Sequence, residues 1–260
     1  TPGQRTMYLA MDDWRKTGSP GLAAGMNNPF LDPRVREAVL LAINVPAIKN
    51  KLFNGAAEIA AQFTPHGVEG FDASLKPLPY DVARAKKLLA EAGYPHGFEV
   101  RLDGPNDRYL QDSLVEQAIG GLLGQAGIKV HVNSVPKAVF FPAINKGSFT
   151  MYFAGWGSNS AITTWGAVYH CRDAKAGFGG VNREHFCDPQ ADAMMAKAAS
   201  DFDAEARPQQ IEAAYHQADR MKFAYLPLYY EDVIAGIANG IAYTSRQDEQ
   251  IFAWAMTRKK

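Results

Sequence analysis

The densest concentration of reactive side chains falls in one polar, glycine-containing stretch, where His170, Cys171, His185 and Cys187 lie within eighteen positions of one another. Three chemistries are open to such a set. Two His and two Cys can make a tetrahedral zinc site, but zinc patterns separate paired ligands by two or more residues, and adjacent His170 and Cys171 on an extended chain point to opposite sides. A Cys-dependent hydrolase would use Cys187 as nucleophile with His185 or His170 as base. That reading lacks company, because the sequence has no nucleophile elbow, no Gly-rich phosphate loop and no HExxH. The third chemistry is a disulfide, which an even pair of cysteines bracketing a loop suits, and which implies an oxidising compartment. The Cys171–Cys187 disulfide is favoured; no metal, cofactor or catalytic residue is expected. Asp12, Asp13, Asp81, Asp188 and Asp192 are explained as loop or helix-start residues, where a carboxylate meets the helix dipole favourably.

The elements that must hold this stretch can be read from local pattern. Thr6 to Met11 reads as a strand and Lys16 to Pro29 as loop. Asp32 and Pro33 open a helix carrying Val35, Val39, Leu40 and Ile43, and Pro46 opens a shorter one over Ala47 to Phe53. After an irregular run to Pro79, Asp81 caps a helix with Val82, Ala85, Leu89 and Ala92 on one face, ended by Gly93. Phe98 to Leu102 alternates as a strand, Tyr109 to Ala126 reads as a helix with Leu110, Leu114, Ala118 and Leu122 inward, and Ile128 to Val132 alternates again. Strand, helix and strand at this spacing predict parallel pairing with a right-handed crossover. Val139 to Asn145 reads as helix and Phe149 to Ala154 as a strand leading to Gly155-Trp156-Gly157. Helices follow over Pro189 to Ala199 and Ala204 to Phe223, the second stopped by Pro227, and then strands over Leu228 to Tyr230 and Val233 to Ile237.

Composition narrows the function classes. In 260 residues, 47% hydrophobic, Lys and Arg balance Asp and Glu at 27 each. No basic run exceeds Arg258-Lys259-Lys260, so nucleic acid is not an expected partner. No apolar run approaches the ~20 residues that span a bilayer. The chain opens on Thr1 without a charged, then apolar, leader pattern, and is therefore expected to be processed or cut.

Two segments carry a wider resemblance, Asn28-Pro-Phe-Leu-Asp-Pro-Arg-Val-Arg-Glu-Ala-Val-Leu-Leu-Ala-Ile-Asn44 and Tyr80-Asp-Val-Ala-Arg-Ala-Lys-Lys-Leu-Leu-Ala-Glu-Ala-Gly-Tyr94. With Gly127-Ile-Lys-Val130, Lys146-Gly-Ser-Phe149, Asn182, Asp188-Pro189, Asp192 and Leu226-Pro-Leu-Tyr229 in the same order, the chain resembles the extracytoplasmic solute-binding proteins of the peptide and nickel ABC importer class, family 5. The match is to the C-terminal half of proteins roughly twice this length. The resemblance implies an α/β, periplasmic-binding-protein-like lobe with a mixed sheet flanked by helices. It further implies a periplasmic address, a small-molecule or peptide solute, and hand-over to the permease of an ATP-driven importer.

On this resemblance, residues 1–27 are the strand and linker arriving from an absent N-terminal lobe, 28–225 the second, ligand-binding lobe, and 226–260 a return segment packing on the first lobe. The ligand-facing loop is Gly155 to Ser160, giving Trp156, Ser158, Asn159 and Ser160 as candidate contacts, with Trp165 and Tyr169 as flanking aromatics that could form flat walls. Relatives that bind peptides carry an Asp in this loop for the free amine. Asn159 stands at the matching place, which removes the opposing charge and favours a neutral or otherwise non-amine ligand. A stand-alone binding or interaction domain that keeps the lobe fold is the alternative. Self-association through the Tyr-, Ile-, Phe- and Trp-rich tail is also expected.

Overall fold

The computed structural model describes residues 2–157 and 159–259. In chain order the elements are β1 (Pro2–Met11), α1 (Pro33–Ala42), α2 (Val45–Leu52), β2 (Ala57–Ile59), α3 (Val82–Glu91), β3 (Phe98–Pro105), α4 (Asp112–Gln125) and β4 (Ile128–Val135). They continue with α5 (Lys137–Asn145), β5 (Met151–Gly157), α6 (Ala161–Thr164), α7 (Pro189–Ser200), α8 (Ala206–His216), β6 (Tyr225–Asp232), β7 (Ile241–Ala242) and β8 (Thr257–Arg258). Both α6 and α8 run on into π-helical turns, Trp165–Tyr169 and Gln217–Met221.

Local chemistry sets the helix starts. Asp32, Asp81 and Asp188 each accept a backbone N–H of the first turn through the side chain, and Pro33 and Pro189 occupy the first helical position, where a missing N–H costs nothing.

One mixed sheet has the order β2-β6-β1-β5-β3-β4. β3 and β4 pair in parallel from Phe98↔Ile128 to Pro105↔Val135 with α4 between them, the expected βαβ unit. β5 joins β3 in parallel, whereas β1 is antiparallel to both β5 and β6. The sheet is buried on both faces along β6, β1 and β5, while β4 at its edge turns Lys129, His131 and Asn133 to solvent. Along β1, Met7, Leu9 and Met11 enter a core shared with α1 to α4, while Tyr8 and Ala10 enter a second core shared with α5 to α8. Tyr152 and Phe153 divide in the same way, one to each face, so the α/β class with helices on either side of a mixed sheet is as expected.

Three readings of the sequence are corrected here. The helix expected from Tyr109 begins at Asp112, because Gln111 takes a left-handed conformation at φ 53°. Its inward stripe is then Val115, Ile119 and Leu123, one position round from the expected one, leaving Leu110 and Leu114 exposed. Pro227 does not stop a helix. The α8 segment has ended by Met221, and Pro227 sits inside β6 at a shift of register against β1, where its missing N–H removes no regular ladder bond. Residues 233–237 carry no strand.

Residues 226–230 are buried within β6 between β1 and β2, and the chain leaves the sheet after Asp232. The strand expected over Thr6 to Met11 is β1, which lies inside the sheet between β6 and β5.

Candidate functional site

Because β3, β4 and β5 are parallel, their carboxyl ends share one edge of the sheet. The antiparallel register Arg5↔Gly157 and Arg5↔Glu231 brings the start of β1 and the end of β6 to the same edge. Ligands of open α/β sheets bind outside the carboxyl ends of such strands. Here that edge carries the loop after β5.

Five separated segments meet there. Glu231 is the hub: its Oε2 accepts from Arg5 Nη1 at 2.8 Å and its Oε1 from the Leu110 amide at 3.0 Å, which ties the loop before α4 to β6. Arg5 also pairs with Glu249 of the tail. The Arg5 and Arg108 guanidinium carbons lie 5.9 and 5.1 Å from the centre of the Tyr109 ring. The Tyr109 hydroxyl donates to Gly155 O at 3.2 Å. Burial pushes the Tyr109 pKa up, so it acts there as a neutral phenol. Gly155 is required by this packing, since a Cβ would stand 2.6 Å from Met7 Sδ and 3.0 Å from both Arg5 and Tyr109.

The tail closes over this edge. The Gln4 amide donates to Gln247 O at 3.0 Å, and β7 pairs with β8. A cleft of about 460 Å³ lies between Arg5, Gly157 and Asn159 on one side and Gln247 to Gln250 on the other. An adjoining hollow of about 440 Å³ is lined by Arg5, Glu231, Ile234, Tyr243 and Ile251. Both are of ordinary size for a small-molecule site.

The expected contact residues separate into two groups. Asn159 is exposed on the cleft wall, and Trp156 is half-buried with its Nε1 donating to Thr164 Oγ1 at 3.2 Å. The Ser160 hydroxyl accepts from the Thr163 amide at 3.3 Å and so caps α6. Ser158 lies outside the described residues. Trp165 and Tyr169, by contrast, are core residues at 1% and 0% exposure, stacked on each other at 5.0 Å, and neither offers a surface to a solute. Their polar tips are taken internally, by Asp192 at 2.8 Å and Asp219 at 2.7 Å. The π-helical turn after α6 swings both rings inward, which their spacing alone did not disclose.

The cysteine-rich stretch resolves as a disulfide, Cys171–Cys187. Both sulfurs are therefore committed, and the hydrolase and zinc readings lose their thiolates. Neither histidine is poised as a base beside a thiol. His170 stacks on Phe178 at 4.1 Å, and His185 stacks on Trp14 at 4.5 Å while its Nε2 meets Arg172 Nη1 at 3.0 Å. Burial and then the Arg172 charge lower the His185 pKa.

Sequence reasoning missed Arg5, Tyr109, Glu231 and Glu249. The only available signal was charge flanking apolar strand runs, Arg5 before Thr6–Met11 and Glu231 after Leu226–Tyr230. Their meeting depends on a strand pairing that spans 226 positions.

The chain belongs to the bacterial extracellular solute-binding proteins, family 5 (Middle), whose pattern it matches over residues 1–176. It is 32% identical over 142 residues to the glutathione-binding protein GsiB of Escherichia coli K12, an alignment covering 53% of this chain and 27% of that protein. Two solved structures share the fold. HbpA2 from Haemophilus parasuis has a TM-score of 0.80 at 18% identity, covering all of this chain and 49% of that one. The dipeptide-binding protein from Pseudoalteromonas sp. SM9913, in complex with Met-Leu, has a TM-score of 0.78 at 20% identity, covering 99% and 49%. The chain thus spans about half the length of these structures. A periplasmic address goes with the family, and the disulfide is chemistry that an oxidising compartment permits. No helix among the described residues is long and apolar enough to cross a membrane.

Proposed function

We propose that this chain is the second lobe of a receptor that captures a small polar or peptide-like solute and passes it to the permease of an ATP-driven importer. One observation carries the reading: the chain joins the sheet at β1 and leaves it at β6 on the same edge where β3, β4 and β5 end and the Trp156–Ser160 loop sits. A further lobe tethered through those two crossings would face this edge and enclose whatever lies there. On this reading residues 2–232 form the lobe and the segment from Val233 is available to the first lobe. Non-enzymatic binding is supported by the committed disulfide and by relatives that bind rather than transform.

On this reading the solute contacts on this side are Asn159, Trp156 and the Arg5–Glu231 pair, with Ser158 a further candidate by sequence. Asn159 supplies amide hydrogen bonds and no charge, so ammonium groups gain little from it. Glutathione, the ligand in the name of GsiB, and Met-Leu are the natural first probes. Nuclear magnetic resonance titration of the isotope-labelled chain with each should shift the amides of residues 155–160 and Arg5, at affinities no tighter than high micromolar, because one lobe supplies half the contacts and no enclosure. Asn159→Asp should tighten Met-Leu about tenfold by restoring a charge-assisted bond to its amine. Nanomolar binding by this chain, or shifts confined to another face, would refute the half-site reading.

A further inference from the structure

Among the described residues, Arg5 is the one cation lining the two hollows at the sheet edge. Its guanidinium is bonded to two carboxylates that differ in kind. Glu231 belongs to β6, has a side chain 14% exposed, and also accepts the Leu110 amide, so it is part of the frame. Glu249 belongs to the tail, has a side chain 34% exposed, and among the described residues its carboxylate pairs with Arg5 alone.

The way Glu249 is delivered makes it the displaceable partner of the two. Its backbone sits at φ 60°, in the left-handed region that residues bearing a Cβ disfavour. The neighbouring Asp248 does not compete for Arg5, because its two oxygens accept from Arg246 Nε at 2.9 and 3.2 Å. Asp232 lines the adjoining hollow and not the cleft that Arg5 shares with Asn159. With Glu249 withdrawn, Arg5 keeps Glu231 on Nη1 and turns Nη2 to that cleft.

We propose, resting on the reading of this edge as the solute side, that the solute is a carboxylate without a free amine, of the acylated amino acid kind, and that its carboxylate replaces that of Glu249 at Arg5 Nη2. A guanidinium gives such a group a charge-assisted bond. Asn159, on the same wall of the cleft, can both donate to and accept from an acyl amide, and brings no charge to hold an ammonium. The tail carboxylate is then an internal competitor that occupies the anion position until the solute arrives.

The test titrates the intact, isotope-labelled chain with N-acetylglycine, its neutral analogue N-acetylglycinamide, and glycylglycine, followed by nuclear magnetic resonance. N-acetylglycine should shift residues 155–160, Arg5 and the Glu249 amide, and bind at least about tenfold more tightly than N-acetylglycinamide. Glycylglycine, which adds an ammonium, should bind no more tightly than N-acetylglycine. Glu249→Gln, at a partly exposed tail position outside both cores, should tighten N-acetylglycine about two- to fivefold, the scale of an exposed ion pair removed from competition, and leave N-acetylglycinamide unchanged. Equal binding of acid and neutral amide at this edge, tighter binding of glycylglycine, or a Glu249→Gln variant that tightens both probes alike or neither would each overturn the proposal while leaving the edge as the solute side. No shifts at this edge with any of the three probes, nor with glutathione or Met-Leu, would overturn both.

Discussion

Glu116 illustrates how single residues in this fold are held in unusual states. It projects from α4 under the carboxyl ends of β3 and β4, fully buried, with Ser134 Oγ donating to one oxygen and no hydrogen-bond partner for the other. Gly104 makes room for it, since a Cβ there would lie 2.0 Å from Glu116 Oε1. Burial pushes the Glu116 pKa up to about 8, so the group is neutral in the fold at physiological pH. An acid whose folded pKa exceeds its unfolded value of about 4.3 retains its proton in the fold while the unfolded chain releases it. Stability therefore falls as pH rises from about 4.3 to about 8, by at most about 1.4 kcal/mol per pH unit per group, and levels off above. Glu184, held between Tyr152 and Tyr225 and also pushed up to about 8, acts in the same window. Glu116→Gln, an isostere of the neutral acid, should match the parent near pH 4 and exceed it most near pH 8, read as urea midpoints across that range. Parallel pH profiles would show that Glu116 ionises freely. Gly104→Ala should destabilise at every pH, because it forces a contact that neither protonation state relieves.

At the scale of elements, the legible parts of the fold are those whose causes lie within a few positions of one another. The Asp32, Asp81 and Asp188 caps, the βαβ unit around α4 and the pairing of an isolated, even set of cysteines were all readable in this way. Less legible were features whose cause is distant. The central placement of β1 and β6 is not encoded near either strand, and the burial of Trp165 and Tyr169 follows from a π-helical turn with no local marker. The disulfide closes a loop over a separation of 16 residues, for which the chain-entropy account gives about 3 kcal/mol. Replacing both cysteines with Ser should lower stability by that order in denaturant titrations and make residues 172–186 the first site of limited proteolysis. Unchanged stability would mean that Asn182, whose amide donates to Phe186 O at 2.7 Å and His170 O at 3.0 Å, already holds the loop without the bond. A second element-level test lies where the turn before β3 meets the turn after α4. Gly97 has φ +71°, and a Cβ on it would stand 1.8 Å from Gly127 O. Gly97→Ala should cost more than the ~1 kcal/mol of a backbone-strain change alone, since the two turns must also separate, and a calorimetric melt would read the loss.

For the whole molecule, the decisive contrast is between central strands buried on both faces and a tail that is not. From Val233 onward the chain presents Ile234 at 69%, Ile251 at 67% and Trp254 at 76% exposure, with Phe252 stacked on Trp254 at 5.3 Å. The tail is nevertheless tied to the lobe by polar contacts, Arg5 to Glu249 and Gln4 to Gln247, at the edge proposed to face a further lobe. A segment held in place by polar ties with its apolar side outward is arranged to be covered, and apolar surface of that kind drives association when its cover is missing. This chain on its own should therefore self-associate in a concentration-dependent way, and Trp254→Asp combined with Ile251→Asp should shift it toward monomer without lowering its melting temperature, because neither side chain contributes to the two buried cores. Sedimentation velocity across a hundredfold range of concentration reads the difference. A parent chain that stays monomeric throughout would mean that the exposed residues are tolerated singly, and that the tail is not a surface waiting for a partner.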